Sequence, residues 1–146
     1  MNLKSVLYLD DTRVPTIIGI TRVKNYDEFV EYLTNNPVPE LISFDHDLAF
    51  EHYPLSEDRP GKDIPYDSYE EKTGLDCAKW VIEHKIPIKH WHVHSFNVVG
   101  KMNIERALRS YCPKGELVNL NIPYVSEDWE KVSKGIRIDK RSAPIV

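Results

Sequence analysis

The sequence predicts an α/β fold, a doubly wound, mostly parallel sheet of about five strands with helices on both faces in three layers. Three observations predict it. Short apolar runs of strand length alternate along the chain with segments whose apolar residues recur at i, i+3, i+4 and i+7, the spacing of one helix face. Residues 5–9 and 41–44 are apolar almost throughout instead of alternating, as befits strands buried on both faces. Both runs end in acids, Asp10-Asp11 and Asp45-His46-Asp47, and in such sheets ligands bind beyond the carboxyl ends of the strands, near the switch in strand order.

In chain order, Ser5-Val6-Leu7-Tyr8-Leu9 reads as the first strand. After Thr12-Arg13-Val14-Pro15, the β-branched residues 17–23 read as a second strand at the sheet edge. Asn25 can cap a helix with Glu28 three residues on, and Tyr26, Phe29, Val30 and Leu33 form its apolar face until Asn35-Asn36-Pro37 stops it. Leu41-Ile42-Ser43-Phe44 is the next buried strand. Residues 49–72 carry three prolines, four tyrosine or phenylalanine rings and an excess of acids, and are expected to form an insert or lid loop. Thr73-Gly74-Leu75-Asp76 matches a capping box and opens a helix through Glu83, with Leu75, Ala78 and Ile82 inward. Residues 90–96 form another strand, and Ile104, Ala107, Leu108 and Tyr111 one face of a helix that Pro113 to Gly115 ends. Residues 113–146 are read as a C-terminal elaboration: a final strand over 118–122, a short helix over 127–132 and an edge strand or tail over 136–146. The whole of 1–146 is expected to be a single domain.

Composition limits the partners. Lys+Arg of 19 against Asp+Glu of 23 leaves a formal charge of −4, so no broad basic surface is expected for long duplex nucleic acid, whereas a nucleotide or a nucleic-acid end remains open. Cys77 and Cys112 lie in no C-x-x-C or zinc-finger spacing and read as reduced, structural thiols. The first residues carry no basic and apolar leader, and no apolar run approaches the roughly 20 residues of a membrane span, so a cytoplasmic protein without membrane contact is expected.

The residues at the strand ends carry the chemistry. Adjacent carboxylates at the end of a buried strand repel and resist ionisation, so Asp10 and Asp11 call for a compensating cation; alternatively Asp11 caps the next turn and Asp10 pairs with Arg13. Asp45, His46 and Asp47 repeat the situation on the next core strand. Hard carboxylate ligands favour Mg²⁺ or Mn²⁺, and adding His46 or His94 shifts the preference toward Mn²⁺, Fe or Zn²⁺. His90, His92 and His94 project to one face, and only His94 sits at the pocket end. Ser95, Asn97 and Gly100 then lead into a helix start whose amides can bind phosphate oxygens, and Arg13 can clamp a phosphate or pair with Asp10 or Asp47.

Leu9-Asp10-Asp11-Thr12-Arg13-Val14-Pro15, Ser43-Phe44-Asp45-His46-Asp47-Leu48, Thr73-Gly74-Leu75-Asp76 and His92-Val93-His94-Ser95-Phe96-Asn97-Val98-Val99-Gly100 together resemble the cyclic-phosphate processing receiver-like family, from Leu3 to Tyr111. The resemblance implies a receiver or flavodoxin-like architecture and processing of cyclic phosphates, in bacterial and phage settings linked to RNA repair. By analogy with receivers, Asp10 and Asp11 would hold a metal, Asp45 would stand at the phosphoacceptor position and Ser95 at the small hydroxyl position. Two features depart from a receiver: no lysine follows 118–122, and a short link around Pro15 replaces the helix between the first two strands.

Two functions follow as expectations. The first is a phosphoesterase acting on a nucleotide or RNA end with a cyclic phosphate: a divalent metal on Asp10, Asp11 and Asp45, His46 and His94 with Asp47 as the acid-base machinery, and Arg13, Ser95, Asn97 and Gly100 holding phosphate. A version without metal would use the two histidines alone. The second is a non-catalytic receiver-like module that binds a nucleotide, phosphate or partner.

Overall fold

In the computed structural model, which describes residues 5–48 and 72–127, four short apolar segments form one parallel sheet. The elements in chain order are β1 (Val6–Leu9), β2 (Arg13–Pro15), β3 (Ile20–Val23), α1 (Tyr26–Asn35), β4 (Leu41–Phe44), α2 (Gly74–Glu83), β5 (His90–Val93), α3 (Val98–Tyr111) and β6 (Tyr124–Ser126). The sheet runs β3-β1-β4-β5, so strand order reverses at β1, the switch point where α/β sheets bind ligands. A parallel bridge between Trp91 and Glu116, flanked by bonds of 3.0 Å from the Trp91 amide to Gly115 O and 2.9 Å from the Leu117 amide to Trp91 O, extends the far edge.

The helices form where their caps and apolar faces were legible. The Asn25 side chain accepts from the Glu28 amide at 2.9 Å, and Glu28 reaches back to the Lys24 amide at 3.0 Å. The Thr73 amide donates to Asp76 at 2.9 Å. Phe29 and Leu33 of α1, Cys77, Ala78 and Val81 of α2, and Ile104 and Leu108 of α3 share one core with Leu7, Leu9, Ile42, Phe44, Trp91 and Val93 of the sheet. Each large side chain so buried contributes about 1.5–3 kcal/mol. The three described helices therefore cover one face, and strand alternation sends Tyr8, Ser43 and His92 to the other.

Several expectations shift. The strand predicted over 17–23 is confined to 20–23, because residues 17–19 turn and Gly19 takes a φ of 97°. Residues 13–15, expected as a link, instead form β2, antiparallel to β6. No strand forms over 118–122: Asn119 adopts a φ of 60°, which breaks an extended run, and the paired strand lies just beyond, at 124–126. Among the described residues the main sheet accordingly has four strands, where about five were expected. On α2, Cys77 and Val81 take the inward positions with Ala78, while Ile82 is only half-buried. The predicted lid over 49–72, apart from Lys72, and the elements predicted over 127–132, apart from Glu127, and over 136–146 lie outside the described residues. No helix among the described residues is long and apolar enough to cross a membrane.

Candidate functional site

Register builds the site. Leu9 pairs with Phe44, and Phe44 with Val93, so the next residue on each of three adjacent strands, Asp10, Asp45 and His94, emerges side by side. The ladder continues through them: the Asp45 amide donates to Leu9 O at 3.0 Å and the His94 amide to Phe44 O at 2.9 Å. One ligand atom from each of Asp10, Asp45 and His94 lies within 4.8 Å of the others. Asp11, expected beside them as a ligand, stands outside this cluster.

Asp10 is fully buried and organises the surrounding turn. Its Oδ1 accepts from the amides of Thr12 at 2.9 Å and Arg13 at 2.8 Å, so Asp10 itself caps the turn that follows β1. Its Oδ2 meets His94 Nε2 at 3.0 Å and Arg13 Nη1 at 3.4 Å. Burial by itself would raise the Asp10 carboxyl, but the bonds from His94 and the Arg13 and Thr12 amides outweigh it and hold the group below the ordinary carboxylate value. Asp45 has the opposite fate. Burial first, and then the charge of Asp10, push its carboxyl up to about 8. Two buried carboxylates this close cannot both ionise without a cation, and their oxygens with one imidazole nitrogen form a donor set that fits a divalent ion.

His94 uses both ring nitrogens. Nδ1 lies 2.7 Å from Ser43 Oγ, Nε2 lies on Asp10, and the ring stacks on Tyr8 with centroids 4.3 Å apart. Burial lowers its pKa by more than Asp10 raises it, favouring the neutral ring. With Nε2–H donating to the carboxylate, Nδ1 accepts from Ser43; if Nε2 ligates an ion, the proton moves to Nδ1 and donates to Ser43 Oγ.

His46 is not part of this cluster. It is buried, its Nδ1 meets Asp47 Oδ1 at 2.8 Å, and Asp47 accepts from the Asn97 side chain at 3.1 Å. The first turn of α3 seals it: a Cβ built on Gly100 would stand 2.3 Å from the His46 ring. Gly74 plays the same part for α2, where a Cβ would stand 1.7 Å from Asp45 O, and its amide donates to His46 O at 2.8 Å. Asn97, expected to hold phosphate, caps α3 by accepting from the Gly100 amide at 3.0 Å. Ser95 Oγ accepts from the Asn97 amide at 3.1 Å. Of the four residues expected to bind phosphate, Gly100 and Asn97 take part in packing and capping, while Arg13 and Ser95 line an open pocket.

That pocket, about 420 Å³, opens on the sheet face opposite the helices and includes Tyr8, Ser43, His92 and His94. Arg13 stands at its edge, with Nη1 donating to His94 O at 3.0 Å and the guanidinium 4.3 Å from the Phe96 ring centre and 5.2 Å from that of Tyr124. Sequence reasoning missed Ser43 as the partner of His94 and Phe96 and Tyr124 as the rings around Arg13. The alternation of Ser43 with Phe44 was a usable signal for the first; nothing local ties Tyr124 to Arg13.

No curated protein and no solved structure matches the chain significantly. The family described as the cyclic-phosphate processing receiver domain matches residues 5–110, most of the chain and all the strand ends just described. The resemblance seen in its motifs is thereby borne out, and the chain belongs to the cyclic-phosphate processing receiver domain family.

Proposed function

We propose that the protein hydrolyses a cyclic phosphate on a nucleotide or RNA end, assisted by a divalent metal. The observation that carries this reading is the meeting of Asp10, Asp45 and His94 at the switch point beside Arg13, in a member of a cyclic-phosphate processing family. Asp10, Asp45 and His94 would hold the ion, with Ser43 orienting the imidazole; including a histidine moves the preference from Mg²⁺ toward Mn²⁺, Zn²⁺ or Fe. A bound ion would polarise the phosphoryl group and activate water at neutral pH. Arg13, its plane set by Phe96 and Tyr124, is placed to hold phosphoryl oxygens through its remaining donors. In the reaction, water oxygen bonds to phosphorus and gives up one proton to solvent, one ester P–O bond breaks, and the departing ribose oxygen takes a proton from solvent, so that one water is consumed. His46 and Asp47 support the site from beneath α3 instead of moving that proton.

The test is incubation with 2′,3′- and 3′,5′-cyclic nucleotides and cyclic-ended oligoribonucleotides, in EDTA, Mg²⁺, Mn²⁺ or Zn²⁺, with products resolved by mass spectrometry. Metal-dependent ring opening that is lost in Asp10→Asn is the expected result. No opening under any metal would overturn the catalytic reading. It would favour a second one, a module that binds a nucleotide or phosphate without turnover, which the engagement of both His94 nitrogens and the burial of His46 already support.

A further inference from the structure

Of the candidate ion cluster only His94 lines the 420 Å³ pocket, which leaves the rest of its lining unexplained. The described residues lining it include no carboxylate, in a chain of net charge −4, and two of them, Arg13 and Lys101, are cations. Their neighbours are amides and rings: Asn119 and Asn121 on the loop that replaces the predicted strand, and Tyr124 and Phe96 at the edge. The volume lies within the range of small-ligand sites and suits one nucleoside with its phosphate, whereas a strand would need a longer basic groove.

His92 adds direction. Its Nδ1 lies 2.8 Å from Leu117 O, which can only accept, so Nδ1 carries the ring proton and Nε2 is left as an acceptor. The wall thus combines an imidazole acceptor with the donors of Lys101 and two carboxamides, the mixed complement that reads a base edge.

We propose that this pocket is the base and ribose subsite for the terminal nucleotide of the substrate, with Lys101, His92 and Asn121 facing the nucleoside and Arg13 at its phosphate. This rests on the cyclic-phosphate reading above and adds that the protein reads a nucleoside as well as a phosphate ring. Cyclic phosphates without a base should therefore be poor ligands.

The experiment is calorimetric titration in EDTA with 2′,3′-cyclic AMP, 2′,3′-cyclic CMP and glycerol 1,2-cyclic phosphate, which has the five-membered ring and no base. At least one nucleotide should bind about ten-fold or more tighter than the glycerol compound, as loss of one charged and one neutral hydrogen bond would predict. Lys101→Glu should erase that margin. Arg106→Glu, the same charge change elsewhere on α3, should preserve it. Equal affinity for all three compounds, or a margin unchanged in Lys101→Glu, would overturn the subsite. Turnover assays separate the two readings: a preserved nucleotide margin without ring opening removes the phosphoesterase and keeps the subsite. Ring opening of the glycerol compound as efficient as that of the nucleotides does the reverse.

Discussion

Asp10 with His94 and Asp47 with His46 are the same pair of residue types at the carboxyl ends of strands in one sheet, and their hydrogen bonds are nearly equal, 3.0 and 2.8 Å. Their surroundings differ. The first pair continues the strand alternation onto the open face of the sheet, beside a second buried carboxyl and a pocket. The second pair follows the point where the chain leaves β4, and two helix starts close over it at Gly74 and Gly100. The same two residue types therefore form a candidate site in one place and packing in the other, according to what covers them.

The largest effect should come from removing charge at the open pair. Asp10→Asn keeps the Oδ1 acceptor for the Thr12 and Arg13 amides but weakens the ion site, and metal-dependent ring opening should fall by a hundred-fold or more, on the order expected for losing a ligand charge. Asp47→Asn should leave kcat/KM within about three-fold, since removing a group that contacts neither ion nor phosphate takes away no transition-state interaction. Equal losses in both would break the contrast between the pairs.

Next in size is a test of the seal. Gly100→Ala forces a Cβ onto the His46 ring, and because that ring is buried and bonded to Asp47, the variant should lose about 2–3 kcal/mol in denaturant unfolding. Combining it with His46→Ala should cost less than the two separate losses added together, because the second change vacates the clash. Additive losses would show that α3 does not rest on His46.

Asp45 sharpens the contrast through pH. Its carboxyl titrates at about 8 in the folded chain against 3.8 ordinarily, so the native state holds its proton more tightly than the unfolded one. The stabilisation from this group is complete below about 4, declines as pH rises, and is gone above about 8. Thermal midpoints in EDTA should carry this downward slope, Asp45→Asn should flatten it, and saturating metal should oppose it. A slope unaffected by the substitution would place the titration elsewhere. The smallest effect is expected for Asn97→Ala, which removes the cap of α3 and one bond to Asp47 at about 1 kcal/mol, read as a drop in thermal midpoint.

Much of this architecture was legible from local pattern. Asn25 and Thr73 marked helix starts because cap and partner lie three residues apart, and uninterrupted apolar runs marked β1 and β4 because strands buried on both faces need them. The site was half legible. Asp10, Asp45 and His94 were each identifiable as acids or imidazole at strand ends, but Asp45, read as a metal ligand, and His46 with Asp47, read as acid-base groups acting beside it, divide between two environments. Residues 118–122 read as a strand because β-propensity is local, whereas Asn119 turns the chain and the partner of β2 is found further on.

The sequence by itself determined the alternation of strands and helices, the caps, the deposit of charge at the strand ends and the family, all properties of residues close together in the chain. Only the tertiary structure decided which of those charges meet. The register of three adjacent parallel strands set Asp10, Asp45 and His94 abreast, and the close approach of two helices at Gly74 and Gly100 buried His46. Both depend on contacts between residues tens of positions apart, which no local periodicity encodes.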